Sequence, residues 1–121
     1  MRTIIAGSRT INDFFLVERA VLESGFRITE VLSGGARGVD SLGEAWARHN
    51  GVLVSRFPAE WERYGKQAGY IRNEQMADRA EGLIAVWDGC STGTGHMIEI
   101  AKRRGLRVFV LSPKAVRQPL Q

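Results

Sequence analysis

The chain is poor in the residues that staple or anchor a protein. It has one cysteine, Cys90, in 121 residues, so no disulfide can close within it. That thiol and two histidines are too few for the usual zinc ligand sets. No apolar run approaches the ~20 residues of a membrane span. The opening Met1-Arg2-Thr3-Ile4-Ile5-Ala6 meets Gly7 too early to form the apolar stretch of a signal peptide. These absences lead to the expectation of a cytoplasmic protein with no membrane partner. Neither sign of charge dominates. Seventeen basic against thirteen acidic residues leave a net charge of +4, which leans toward anionic partners without demanding nucleic acid. The densest basic cluster, Lys102-Arg103-Arg104 with Arg107, falls at the end of an expected helix. Cations suit the macrodipole there, so a solvated helix end is favoured over a nucleic-acid patch.

What is present is alternation. Strands are expected at Thr3 to Ala6, Glu30 to Leu32, Val52 to Phe57, Gly82 to Trp87 and Arg107 to Leu111. Helices are expected at Asn12 to Ser24, Val39 to Asn50, Lys66 to Arg79, and from Gly93 or Thr94 to Arg104. Phe14, Val17, Val21 and Leu22 form an apolar side on the first helix. Leu42, Ala45, Trp46 and His49 follow helical spacing on the second, and Ile71, Gln75 and Met76 share a side of the third. Five strands alternating with four helices predict a single α/β domain spanning residues 1–121, with a five-stranded, mostly parallel sheet. Residues 114–121 are expected to be a loose C-terminal tail. The longest irregular stretch is Ala59 to Gly65, which carries Trp61 and Tyr64, and loops of that length are often functional.

In parallel sheets, ligands bind beyond the carboxyl ends of the strands. Three turns there are rich in glycine and hydroxyls: Gly7-Ser8-Arg9, then Ser33-Gly34-Gly35-Ala36-Arg37-Gly38-Val39-Asp40, then Asp88-Gly89-Cys90-Ser91-Thr92-Gly93-Thr94. Glycine lets backbone approach an anion closely, helix starts present free N–H groups, and Arg9 can fork onto a phosphate. Any one such turn is as well explained by tight chain reversal. Three at one edge favour a ligand, with two helix starts aimed at a single crevice holding a phosphate or diphosphate. No Lys follows either helix-start turn as a P-loop requires, and the G-x-G-x-x-G spacing of a dinucleotide fingerprint is incomplete.

Asp40 is equally suited to capping its own helix and to binding a ribose hydroxyl. Arg72 and Asn73 are expected to point toward the crevice from the third helix. His96, near the same edge, is a candidate acid or base, although a lone histidine is more often structural. Trp61 and Tyr64 either stack on a base or roof the core.

These turns, together with Arg72-Asn73 and Met76, resemble the SLOG superfamily, and within it the small YspA-type, YpsA-related branch. The likeness runs from Thr3 to Leu111. It implies a Rossmann-like three-layer sandwich that binds a nucleotide or nucleotide-derived small molecule, for example one related to NAD or ADP-ribose, as a sensor or sequestering protein. It also implies a homo-oligomer. The resemblance assigns ligand binding to Gly7, Ser8, Arg9, Ser33, Gly34, Gly35, Ala36, Asp40, Arg72, Asn73, Ser91, Gly93 and Thr94, and no separate cofactor.

Two relatives within the superfamily imply alternatives. Lonely Guy phosphoribohydrolases cleave nucleotides with a Glu in the final turn, where this chain has Met97. Glu99 lies about 200° around the helix from it at about 100° per residue, and so is expected to face away from the pocket. Arg72 and His96 remain the catalytic candidates for such an N-glycosidase. DprA implies single-stranded nucleic-acid binding, with Arg9, Arg37 and Arg72 as a basic rim.

Overall fold

A computed structural model describes residues 1–113; the tail expected at 114–121 lies outside the described residues. The strands are β1 (Arg2–Gly7), β2 (Glu30–Ser33), β3 (Leu53–Arg56), β4 (Gly82–Val86) and β5 (Arg107–Leu111). They form one sheet in the order β3-β2-β1-β4-β5. Every pairing is parallel, so the sheet is parallel throughout rather than mostly so. The chain winds outward through β2 and β3, then crosses to the other side of β1. The order therefore reverses between β1 and β4, the place where such sheets open a crevice. The helices are α1 (Phe14–Ser24), α2 (Val39–His49), α3 (Trp61–Tyr64), α4 (Ala68–Arg79) and α5 (Thr92–Arg103). None is long and apolar enough to cross a membrane.

The central strands are apolar on both faces, and each face has its own core. Ile4, Leu32, Leu83 and Ala85 pack with Met76, Met97 and Ile100 of α4 and α5. Ile5, Val31, Ile84 and Val86 pack with Val17, Val39 and Ala47 of α1 and α2. Consecutive residues Ile4 and Ile5 thus serve opposite layers, as the two-residue period of a strand requires. The result is a three-layer α/β sandwich.

Helix faces depart from expectation where polar residues are buried. On α1, Val17, Ala20 and Val21 are buried while Leu22 is 78% exposed. On α2 the buried stripe is Val39, Asp40, Gly43, Glu44 and Ala47, one step around from the expected Leu42, Ala45, Trp46 and His49. Gly43 explains the rotation: a Cβ there would fall 2.7 Å from Ile5 Cγ2, so the helix seats its glycine on the sheet. On α4 the buried residues are Ala68, Asn73, Met76 and Ala77, and Gln75 is exposed. The stretch Ala59 to Gly65 is not wholly irregular; it contains α3, followed by a 3-10 turn at Gly65–Gln67 that leads into α4.

Candidate functional site

A cleft of about 490 Å³ opens at the carboxyl ends of β1 and β4. Its floor is Ala6, Gly7 and Met97; its walls carry Arg9, Thr10, Ala36 and Asp40 on one side and Asp88 and Ser91 to Thr94 on the other. Trp61, Lys66, Gly69, Tyr70, Arg72, Asn73 and Met76 close it from α3, α4 and the turn between them. Gly7 is required by packing: a Cβ would lie 2.1 Å from the Val86 carbonyl oxygen and 2.7 Å from Val39 Cγ2.

The turn after β4 is built by Asp88. Its carboxylate accepts from the N–H groups of Cys90 at 2.8 Å and Ser91 at 2.9 Å. Those two bonds hold its carboxyl down at about 2. Ser91 is the N-cap of α5, yet its side chain makes no bond to the helix; its hydroxyl turns to Ser8 Oγ and Asp88. The first helical bond runs from Gly95 N–H to the Ser91 carbonyl. The amides of Thr92, Gly93 and Thr94 therefore begin the helix without backbone acceptors and beside the cleft, with the positive end of the helix dipole behind them. Thr92 and Gly93 are exposed and a Cβ on Gly93 would meet nothing within 4 Å, whereas Thr94 is buried.

The turn after β2 is organised differently. Gly35 N–H donates to Ser33 Oγ at 3.1 Å, and Ala36 N–H donates to Asp40 Oδ2 at 3.1 Å. Gly34 fits between Arg72 and Asp40: a Cβ would be 2.6 Å from Arg72 Nη1 and 2.8 Å from Asp40 Oδ2. Arg72 Nη1 in turn donates to the Gly34 carbonyl at 2.7 Å. The sequence pattern places both glycine turns on one crevice. The structure separates them. Gly34 and Gly35 do not line the cleft but an adjoining hollow, which shares Arg9, Ala36, Trp61 and Arg72 with it.

Ser8 and Ser33 are fully buried and serve the scaffold. Ser8 Oγ accepts from Asp88 N–H at 3.0 Å, joining the β1 and β4 turns. Ser33 Oγ donates to Glu44 Oε2 at 2.6 Å. Burial raises the Glu44 carboxyl, but its bonds with Arg56 and Ser33 outweigh that and keep it below the usual range. Asp40 is buried too, at 7% exposure. There desolvation prevails over the Ala36 N–H and Arg72, and its carboxyl is pushed up to about 6.

Arg72 Nε donates to Asn73 Oδ1 at 3.1 Å. Because a guanidinium only donates, the Asn73 amide nitrogen faces the other way. It donates to the Gly93 carbonyl at 3.3 Å and to His96 Nδ1 at 3.2 Å. In this arrangement His96 accepts at Nδ1, and burial lowers its pKa. It packs edge-on against Tyr70 at 4.4 Å between centroids and lines a shallow side hollow with Glu99, not the cleft. Met97 faces the cleft and Glu99 does not.

Of the ligand residues named from sequence, the structure brings Gly7, Arg9, Ala36, Asp40, Arg72, Asn73, Ser91, Gly93 and Thr94 to the cleft wall. Thr10, Lys66 and Tyr70 were missed. Thr10 directly follows the Gly7-Ser8-Arg9 turn, and Lys66 and Tyr70 follow the long stretch around Trp61; these neighbours were the signals that pointed toward them. Tyr64, its other aromatic, does not line the cleft.

Residues 1–64 match the model of the YAcAr family, described as the YspA, cpYpsA-related SLOG family. The Gene 61 protein of Mycobacterium phage D29 is 34% identical over 122 aligned positions, covering 93% of this chain and 98% of the phage protein. No solved structure matches the chain.

Proposed function

The chain belongs to the YspA, cpYpsA-related SLOG family, and on that premise we propose that it binds a nucleotide or nucleotide-derived small molecule in the cleft between β1 and β4, as a sensor or sequestering protein. The observation that carries this is the start of α5: Thr92, Gly93 and Thr94, whose amides have no backbone acceptor among the described residues, lie on the wall of the same cleft as Arg9 and Arg72. Amides and cations converging from opposite walls suit a phosphate. Trp61 and Tyr70, 54% and 46% exposed, offer ring faces to a base at the cleft mouth. In this reading Asp40 and Asn73, which line the same cleft, meet the ribose.

A thermal-shift and calorimetric series with AMP, ADP, NAD, ADP-ribose and a short single-stranded DNA tests this. A binder gains about 2.7 kcal/mol of stability at a free ligand concentration 100 times Kd. Stabilisation by one of the nucleotides is expected. DNA binding with steep salt dependence and no response to any nucleotide would refute the proposal.

One observation favours a reaction at this site: a carboxyl held at about 6 beside an arginine in a cleft, the kind of group used to move a proton near neutral pH. An N-glycosidase would release free base from a nucleotide, and Arg72→Ala would abolish the release. His96, outside the cleft, would not be needed.

A further inference from the structure

The hollow beside the cleft is unlike it in charge. It measures about 580 Å³ and is lined by Gly34, Gly35, Arg37, Arg56, Pro58 and Ala59, in addition to the four residues it shares with the cleft. Four guanidinium groups surround it, those of Arg9, Arg37, Arg56 and Arg72, and no Asp or Glu lines it. The cleft, by contrast, has Asp40 and Asp88 on its walls. Of the four, Arg56 pairs with Glu44 Oε1 at 2.6 Å. Arg9, Arg37 and Arg72 form no direct ion pair among the described residues, although the buried Asp40 carboxylate behind the β2 turn acts electrostatically on Arg9 and Arg72. Arg72 uses Nε and Nη1 on Asn73, Gly34 and Phe57, which leaves Nη2 without an acceptor among the described residues. Four guanidinium groups against the carboxylates of Glu44 and Asp40 leave a positive excess that an anion offsets.

We propose that this hollow is a second anion subsite, and that the ligand is a nucleotide carrying two separate phosphate centres, one at the start of α5 and one among Arg9, Arg37, Arg56 and Arg72. The proposal rests on the nucleotide reading of the cleft. The shared wall of Arg9, Ala36, Trp61 and Arg72 makes the two spaces adjoin, so one small molecule can reach both. Recognition in the hollow comes from side chains, because the Gly35 and Ala36 amides already have acceptors. Guanidinium forks match phosphate geometry. A small ligand is favoured over a long strand by the distribution of charge. The other basic cluster, Lys102 to Arg104, ends α5 at the opposite edge of the sheet, and Arg104 is paired with Glu74 and Asp78.

The test compares AMP with adenosine 3′,5′-bisphosphate by calorimetry at fixed ionic strength. The bisphosphate is expected to bind at least about tenfold more tightly, the scale of one added charge-assisted contact. Arg37 is exposed and lines only the hollow. Arg37→Ala should lower the affinity ratio by about threefold or more while leaving AMP binding unchanged. Lys102→Ala, which removes the same charge at the far edge, should leave the ratio intact. Equal affinity for the two nucleotides, or equal effects of the two substitutions on the ratio, overturns the second subsite and leaves the nucleotide cleft standing. Failure of both nucleotides to bind overturns this proposal, and the nucleotide reading of the cleft falls with it only when ADP, NAD and ADP-ribose fail as well. Binding of oligothymidylate with no binding of the bisphosphate replaces the small ligand by a strand and overturns this one.

Discussion

The turns after β2 and β4 read alike as strings of Ser, Gly and small residues, yet they use glycine for opposite purposes. In the first, glycine permits packing. Gly34 lies between Arg72 and Asp40. Gly38 has φ +75° and would place a Cβ 2.4 Å from the Ser8 carbonyl oxygen. The amides of Gly35 and Ala36 are bonded internally. In the second, glycine permits access: Gly93 has open space around it, and the amides at the start of α5 face the cleft. A Gly-rich turn at a strand end is therefore not by itself an anion cradle. What decides is whether its N–H groups already have acceptors.

The largest expected effect breaks the comparison at Gly38. An alanine there meets both a forbidden φ and the β1 turn, so Gly38→Ala should cost more than about 3 kcal/mol in urea unfolding. Tolerance of that change would mean the first turn is not built on close packing. Next is Asp40→Asn. Burial pushes the Asp40 carboxyl up to about 6 in the folded protein, from an ordinary value of 3.8. Between those values the folded state binds more protons, so stability falls as pH rises through that window, and the full cost persists above it. Asparagine keeps an acceptor for Ala36 N–H and removes the charge. The variant should gain stability on the order of 2–3 kcal/mol at pH 8 and nothing near pH 3. A gain that is the same at both pH values would rule out the buried charge as its source.

Smaller effects sharpen the access side. Arg9 is exposed and without an ion pair, so Arg9→Ala should change stability by less than about 0.5 kcal/mol. It should weaken AMP binding about tenfold in the same calorimetric assay. The smallest is Gly93→Ala. In the first turn of α5 with no neighbour to strike, it should raise stability by up to about 1 kcal/mol. A loss of stability there would show that the second turn is packed like the first.

Much of this was legible in the chain. Alternating apolar runs and helical stretches specified a parallel α/β sheet, and β5 falls at Arg107–Leu111 as expected. The short helix α3 was hidden because one turn has too few residues to show a period. The buried face of α2 was hidden because Asp40 and Glu44 lie on it, and hydropathy does not count a carboxylate as core. Glu44 is accommodated by bonds that form only when β2 and β3 pack beside α2, those with Ser33 and Arg56, whereas Asp40 accepts locally from the Ala36 amide four residues before it.

Sequence alone determined the sheet, the strand edge at which its glycine turns gather and the family, since these follow from residues close together in the chain and from motif order. The tertiary structure decided what each polar group at that edge does. Ser8 bonds to a turn 80 residues away, His96 is turned out of the cleft by Asn73, and the two glycine turns open on different hollows. Hydrogen-bond partners are allotted by proximity in space, and that is why the same Ser-Gly pattern became scaffold in one turn and an open helix end in the other.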